Sequence, residues 1–374
     1  MHKENSFCKS LMFIVKKIGS LFVLFALCLF LSCSGENKSV KNSRDKSNKI
    51  ISEMDSEENS KVTKEIESEK KSAFDETASQ SKIKILATIF PIYDWVRELT
   101  NGSEFVEIEL LLDNGSDLHS FTPSASDIIK ISTADILIYV GGESDEWILS
   151  ALKNKTNRNQ IEINLMSLLG DFLKKEELVE GMQASSEDED VNNDFEEDLE
   201  YDEHVWLSLR NAEIICQKIS AELSTLLPKE KELFTKNLFT YQKKLQELDK
   251  DFSDFFNKTD SNTLIFCDRF PFRYFTEDYA LSYYAAFLGC SAESEASFST
   301  IAFLAKKIDE LDSSKVFVIE NSDKKIAQSV ISSSKKKNSE IVILDSLQST
   351  TKADILKGKT YISAMQENLD RLKN

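Results

Sequence analysis

Histidine is nearly absent from this chain: His2, His119 and His204 are the only three. No two cysteines stand at the CxxC spacing of a thiolate zinc knuckle or a redox pair. The phosphate-binding patterns GxxxxGK[ST] and GxGxxG are missing, and so is the GxSxG nucleophile elbow. That removes the sequence basis for a nucleotide site or for Ser/His/Asp catalysis, and no nucleophile or separate general base can be named, so an enzyme is not expected. Positive charge is also short. A net charge of -18 at pH 7 argues against nucleic acid or anionic lipid as a partner, because phosphate binding is driven by Lys and Arg, and it favours cations. Finally, the apolar run Leu21–Leu31 is too short to span a bilayer, which needs about 20 residues.

What that run does have is the character of an export signal, preceded by Lys9, Lys16 and Lys17 and followed by Leu31-Ser32-Cys33. The junction resembles a bacterial lipobox, with Phe30 where Leu is usual. The expectation is a signal peptide over residues 1–32 and a diacylglyceryl anchor on Cys33. Residues 33–81 are rich in Ser, Lys, Glu and Asn with almost no aromatics, too little apolar surface to offset ordering entropy. They read as a disordered tether holding the folded part off a membrane.

The remaining residues, 82–374, suffice for two lobes. Continuous apolar runs at 84–90, 105–112, 134–140 and 161–165 read as strands buried on both faces, hence parallel, with helices at 91–99, 125–132 and 147–152 between them. Helical periodicity runs from Arg210 to Phe255 with a break at Pro228, whose second part is long enough to act as a rigid spine along both lobes. Strands at 263–267, 283–287, 315–319 and 340–344 then alternate with helices at 298–311, 324–335 and 361–372. The expected architecture is α/β: a first lobe over 82–227, a linking helix within 228–260 and a second lobe over 261–374. Cys216, Cys267 and Cys290 remain after processing, which leaves a Cys267–Cys290 bridge open but no disulfide framework.

The candidate chemistry lies where elements end. His119 sits in a turn-rich loop, Asn114-Gly-Ser-Asp-Leu-His119-Ser-Phe-Thr-Pro123, with Pro123 suited to the first turn of the following helix and Thr122 or Ser124 able to cap it. A dense acidic loop over 185–203 delivers carboxylates to His204. Asp268, Glu320 and Asp345 each follow an apolar strand directly. His119, His204, Asp268 and Asp345 together would make a four-ligand site for Zn²⁺ or Mn²⁺, both of which accept two imidazoles and two carboxylates.

These residues resemble a known family, the metal-binding lipoproteins that serve bacterial zinc and manganese ABC importers. His119-Ser-Phe-Thr-Pro123-Ser-Ala-Ser-Asp127 is similar to the family's His-x-x-Glu-Pro-Ser-x-x-Asp, and Asp202-Glu203-His204-Val205-Trp206-Leu207 to its Asp-Pro-His-Val-Trp-Leu. Arg273-Tyr274-Phe275 with Tyr279-Ala280-Leu281 resembles the Gly-Tyr-Phe…Tyr-Gly-Leu that follows the family's third ligand, and Leu344-Asp345-Ser346-Leu347 resembles its last motif. The resemblance implies His119, His204 and Asp345 as ligands. It departs at the third position, where Asp268 stands one residue further from Tyr274-Phe275 than the family's His or Glu, and Thr122 replaces the usual Glu. It also implies a monomer that holds metal between two lobes and delivers it to an ABC permease outside the cytoplasm. The acidic insertion favours zinc as the transported ion, with manganese or a lipoprotein adhesin as alternatives.

Mobile oxygen-rich loops collect divalent cations weakly and raise their local concentration. Deleting residues 185–198 is expected to slow capture at low metal while leaving tight binding intact; an unchanged stopped-flow capture rate would contradict it.

Overall fold

The computed structural model describes residues 82–183, 199–259, 262–291 and 295–374, all within one compact unit, Ser79–Asn374. The signal segment, the lipidation candidate Cys33, the tether and residues 184–198 of the acidic loop lie outside the described residues. Among the described residues no helix is long and apolar enough to cross a membrane.

The apolar runs become eight strands: β1 (Ile83–Ala87), β2 (Val106–Leu110), β3 (Ile136–Tyr139), β4 (Ile161–Asn164), β5 (Thr263–Phe270), β6 (Ser282–Leu288), β7 (Lys315–Ile319) and β8 (Glu340–Leu344). They form two four-stranded sheets, ordered β2-β1-β3-β4 and β6-β5-β7-β8, with every pairing parallel. Both sheets share one topology. Strand order reverses beside β1 in the first and beside β5 in the second, and such switch points open a crevice at the carboxyl ends of the strands. The helices are α1 (Phe90–Leu99), α2 (Ala125–Thr133), α3 (Glu146–Leu152), α4 (Leu165–Leu169), α5 (Leu209–Leu226), α6 (Lys231–Phe256), α7 (Arg273–Asp278), α8 (Phe298–Glu310), α9 (Lys325–Ser333), α10 (Lys352–Leu356) and α11 (Tyr361–Lys373).

Local chemistry sets most boundaries. Ser124 caps α2 and forms a capping box with Asp127, which places Pro123 before the cap rather than in the first helical turn. Pro228 opens a 3-10 turn, Pro228–Glu230, that separates α5 from the spine α6. Strand β5 runs three residues beyond its apolar core, with a register shift between Phe266 and Arg269. Asp268 therefore lies inside an irregular strand segment, not beyond a strand tip, because the irregularity lets the chain keep pairing with β6 past the apolar run.

The 26-residue spine is about 39 Å long at 1.5 Å per residue. It is joined by other connections between the lobes. α11 packs on β8, on the spine and on α1. The fully buried Tyr361 at its start donates to the Trp206 carbonyl at 2.6 Å, and its ring meets Trp95 edge-on with centroids 5.2 Å apart. Trp206 in turn donates through Nε1 to the Ser346 carbonyl at 2.9 Å. On another side, residues 173–183 strap the second sheet: Lys174 N donates to Tyr274 Oη at 3.1 Å and Gln183 N to the Ala286 carbonyl at 3.0 Å. Lys352 N adds a bond to the Asp113 carbonyl at 2.7 Å. Cys216, Cys267 and Cys290 are free thiols, so the Cys267–Cys290 bridge left open by the sequence is not made.

Tyr361→Phe removes the donor to a buried carbonyl and is expected to cost about 1–3 kcal/mol. Urea unfolding should show a lower midpoint with an unchanged slope; an unchanged midpoint would mean that Trp206 O is satisfied otherwise.

Candidate metal centre

His119 is held by a short 3-10 turn, Leu118–Ser120, whose N-cap is Asp117. Asp117 Oδ1 accepts from the His119 amide at 3.0 Å, and the buried Leu118 pins the turn to the core. The His119 ring is fixed on its Nδ1 side by Ser144 Oγ at 2.6 Å. Ser144 belongs to the turn after β3, and its own amide donates to Glu203 Oε1 at 2.9 Å. Nε2 of His119 is thereby turned towards the second histidine.

His204 is fully buried at the head of the 3-10 turn Val205–Leu207. Asp202 Oδ1 accepts from both the His204 amide, at 2.7 Å, and the ring Nδ1, at 2.9 Å. Asp202 is itself fixed through its backbone: its carbonyl accepts from Tyr274 Oη at 2.8 Å and its amide donates to the Lys174 carbonyl at 2.9 Å. A carboxylate on Nδ1 sets the tautomer and leaves Nε2 as the ring atom open to a metal. The two Nε2 atoms face each other at 3.0 Å, close to the roughly 3.3 Å edge of a tetrahedron with Zn–N bonds of about 2.05 Å.

Two nitrogens at this distance share one proton. Burial works against charging His204, but Asp202, Glu203 and Glu176 outweigh it and hold the imidazole above its ordinary range. Burial and the neighbouring His204, helped by Arg269, push His119 down to about 3 against the pull of Asp117. His119 is thus the neutral partner, with its lone pair facing the proton on His204.

The second lobe brings Cys290, just past β6. Its Sγ and one nitrogen from each of the two imidazoles all lie within 4.8 Å of one another. The Cys290 amide donates to Glu176 Oε1 at 2.9 Å, and the Glu203 amide donates to the sulfur. Burial, reinforced by Glu176, Asp202 and Glu203, pushes the thiol far above its usual range, so without a cation beside it the sulfur stays protonated. Gly289 lies against His204: a Cβ there would stand 3.1 Å from Cε1 and 2.8 Å from the Phe270 carbonyl.

The two acids expected from the sequence are placed differently. Asp268 lines a cleft of about 430 Å³ with Asp117, His119 and Arg269; its Oδ1 accepts from the Arg269 amide, and its buried Oδ2 has no partner. The Arg269 guanidinium bridges the lobes to Asp117 Oδ2 at 2.5 Å. Asp345 is engaged by Lys359 Nζ at 2.5 Å and by the Leu347 amide at 2.8 Å. Glu320 accepts from the amide and hydroxyl of Ser346, and burial and Asp345 raise its carboxyl. Neither Asp268 nor Asp345 falls in the close group of donors. The sequence offers Cys290 only as a possible disulfide partner; folding, not spacing, brings it to the two imidazoles.

A family profile described as zinc-uptake complex component A, periplasmic (ZnuA), matches residues 85–374. The zinc-binding lipoprotein AdcA of Streptococcus pneumoniae (strain ATCC BAA-255 / R6) is 28% identical over 298 residues, which cover 79% of this chain and 56% of that protein. The chain thus spans little more than half the length of AdcA. The high-affinity zinc uptake system protein ZnuA of Bacillus subtilis (strain 168) is 26% identical over 293 residues, 78% of this chain and 87% of that protein. The crystal structure of the Zn(II)-bound ZnuA-like domain of S. pneumoniae AdcA matches with a TM-score of 0.60 at 26% identity, covering 78% of this chain and 98% of that domain.

Loss of the orienting carboxylate should be felt at the imidazole. Asp202→Asn is expected to weaken zinc binding by roughly 10–100-fold, read by competition with a chromogenic chelator. Unchanged affinity would mean that Asp202 does not orient a ligand.

Proposed function

Because this chain belongs to the family of zinc-uptake complex component A, we propose that it captures zinc outside the cytoplasm and hands it to the membrane subunit of an ABC-type permease. The observation that carries this reading is the His119–His204 pair: two imidazoles 3.0 Å apart, each tied at Nδ1 and each presenting Nε2. Rings so fixed lose little freedom when an ion replaces the shared proton. Residues 1–32 act as the signal peptide and Cys33 as the lipid anchor, with 33–81 as the tether. Residues 82–227 and 261–374 are the two metal-holding lobes around the linking segment 228–260, and the protein works as a monomer.

In this reading His119 and His204 are the first lobe's ligands, and Asp268 and Asp345 are the second lobe's carboxylate candidates. The unpartnered Oδ2 of Asp268, in the cleft that His119 also lines, supports the former. Asp345 would exchange its Lys359 partner for the ion. Capture then consists of dehydrating the ion, displacing the proton held by His204 and neutralising the carboxylates buried beside it.

The pH dependence follows with a definite sign. His204 is raised above its ordinary value, so its protonated form competes with metal already near neutrality. Affinity is full above that range and is lost as pH falls through it, by about tenfold per pH unit for each proton displaced. Loading the full chain from an equimolar zinc and manganese mixture over a pH series, with elemental analysis of the bound metal, should give one equivalent of zinc near neutrality and progressive loss on acidification. His119→Ala should abolish the stoichiometric fraction. Manganese preference, pH-independent loading or no bound metal would each overturn the reading.

A further inference from the structure

We propose that Cys290 Sγ is the third ligand of the captured ion, so that the site is built on two imidazoles and a thiolate. The inference rests on the carrier reading and deepens it by naming the donor that selects the ion. Geometry is the first argument. Among the described residues, His119, His204 and Cys290 are the one group whose donor atoms converge within 4.8 Å. The edges of a zinc tetrahedron measure roughly 3.3 Å between nitrogens and 3.6 Å between nitrogen and sulfur, so small side-chain adjustments close the set.

The second argument is that the backbone around Cys290 is built for this approach. Glu176 Oε1 fastens its amide at 2.9 Å. Gly289 lets the end of β6 lie directly on His204, where a Cβ would stand 3.1 Å from Cε1 and 3.2 Å from Nδ1. A Cβ at 289 would also stand 2.8 Å from the Phe270 carbonyl, so a larger residue there forces the backbone next to Cys290 to shift. The chain thus crosses from the second sheet to the first lobe's histidines at Cys290, which lets one ion join both lobes.

The third argument comes from what occupies the other candidates. Arg269 fills the region beside His119 with a guanidinium held by Asp117, and positive charge there opposes a cation approaching from that side. Asp345 is bound to Lys359. By contrast, Asp202 and Glu203 are buried next to the sulfur and the imidazoles and favour a cation at that point. On binding, the S–H bond breaks, the proton passes to solvent, and the sulfur lone pair forms the bond to the metal as a coordinated water leaves. A thiolate is a soft donor that suits zinc and disfavours manganese, so Cys290 separates two ions that a site of imidazoles and carboxylates would accept alike.

The test uses Co²⁺ as a spectroscopic stand-in for zinc in the full chain. Wild type should show a near-ultraviolet sulfur-to-cobalt charge-transfer band at one equivalent. Cys290→Ser should lose that band, bind zinc at least about tenfold more weakly and discriminate less against manganese, while Cys216→Ala, which removes a buried thiol outside the donor group, keeps the band. The wild-type band is itself a readout that needs no variant to fold. Cobalt bound without the band, or a band that survives in Cys290→Ser, would overturn the thiolate while leaving the carrier reading intact. Failure of wild type to bind either metal would overturn both.

Discussion

Everything near the centre of this molecule depends on burying an imidazole between two carboxylates. Asp202, Glu203 and His204 are consecutive and each at most 2% exposed. Removing three ionisable groups from water is tolerable only if each is hydrogen-bonded and the charges offset one another. The structure meets that condition with partners drawn from distant parts of the chain: the Ser144 amide donates to Glu203, the Tyr274 hydroxyl donates to the Asp202 carbonyl, and the Lys174 carbonyl accepts from the Asp202 amide. Because Tyr274 belongs to the second lobe and Ser144 to the first, satisfying these groups also fixes where the lobes meet. The remaining shortfall is informative. Glu203 Oε2 is buried without a hydrogen-bond partner, 4.0 Å from His119 Nδ1. An uncompensated carboxylate beside two nitrogens favours positive charge there, and a divalent ion supplies more of it than a shared proton.

The connections between the lobes bear on how such a site works. With only the spine α6, the lobes could rock, and part of the ion's binding energy would go into closing them. Here α11, the strap of residues 173–183 and the Lys352–Asp113 bond also cross the boundary. Those added connections restrict how far the lobes can rock about the spine. The ion pair between Arg269 and Asp117 works in the same direction, since Asp117 also supports the His119 turn through its other oxygen. One side chain thus couples the second lobe to the turn that holds His119.

Much of this was legible in the sequence, for physical reasons that can be stated. Strands buried on both faces must be continuously apolar, so β7 and β8 fall on the residues that periodicity indicated, 315–319 and 340–344. Helices with capping residues and Pro228 were equally readable, and scarcity made His119 and His204 conspicuous. Short elements were missed: α4, α7 and α10 have only five or six residues, too few for a period to register. The irregularity in β5 was invisible because strand continuation past Phe266 depends on pairing with β6 and not on local composition. Asp345 looked like a free acid because Lys359, fourteen residues on, carries no sign of where the chain will return. Cys290 was overlooked for a related reason: a single thiol among polar residues has no pattern, and its meaning comes from Gly289 and from the two imidazoles that folding brings to it.

Charge and covalency can be separated in this site. The net charge of -18 and the buried carboxylates favour any divalent cation and do not distinguish zinc from manganese. Discrimination must come from atoms that bond to the ion, and the carboxylates closest to the imidazoles are largely committed elsewhere, Asp202 to His204 and Glu203 to Ser144. Those two acids set the field and hold the rings. In the proposed site the choice of ion then falls to the imidazole nitrogens and to the second-lobe donor that completes the set. A hard carboxylate there would leave the site permissive, whereas a sulfur donor would make softness the criterion. Since the field acts on charge and the bond on donor type, the same centre can gather divalent ions in general and retain one of them.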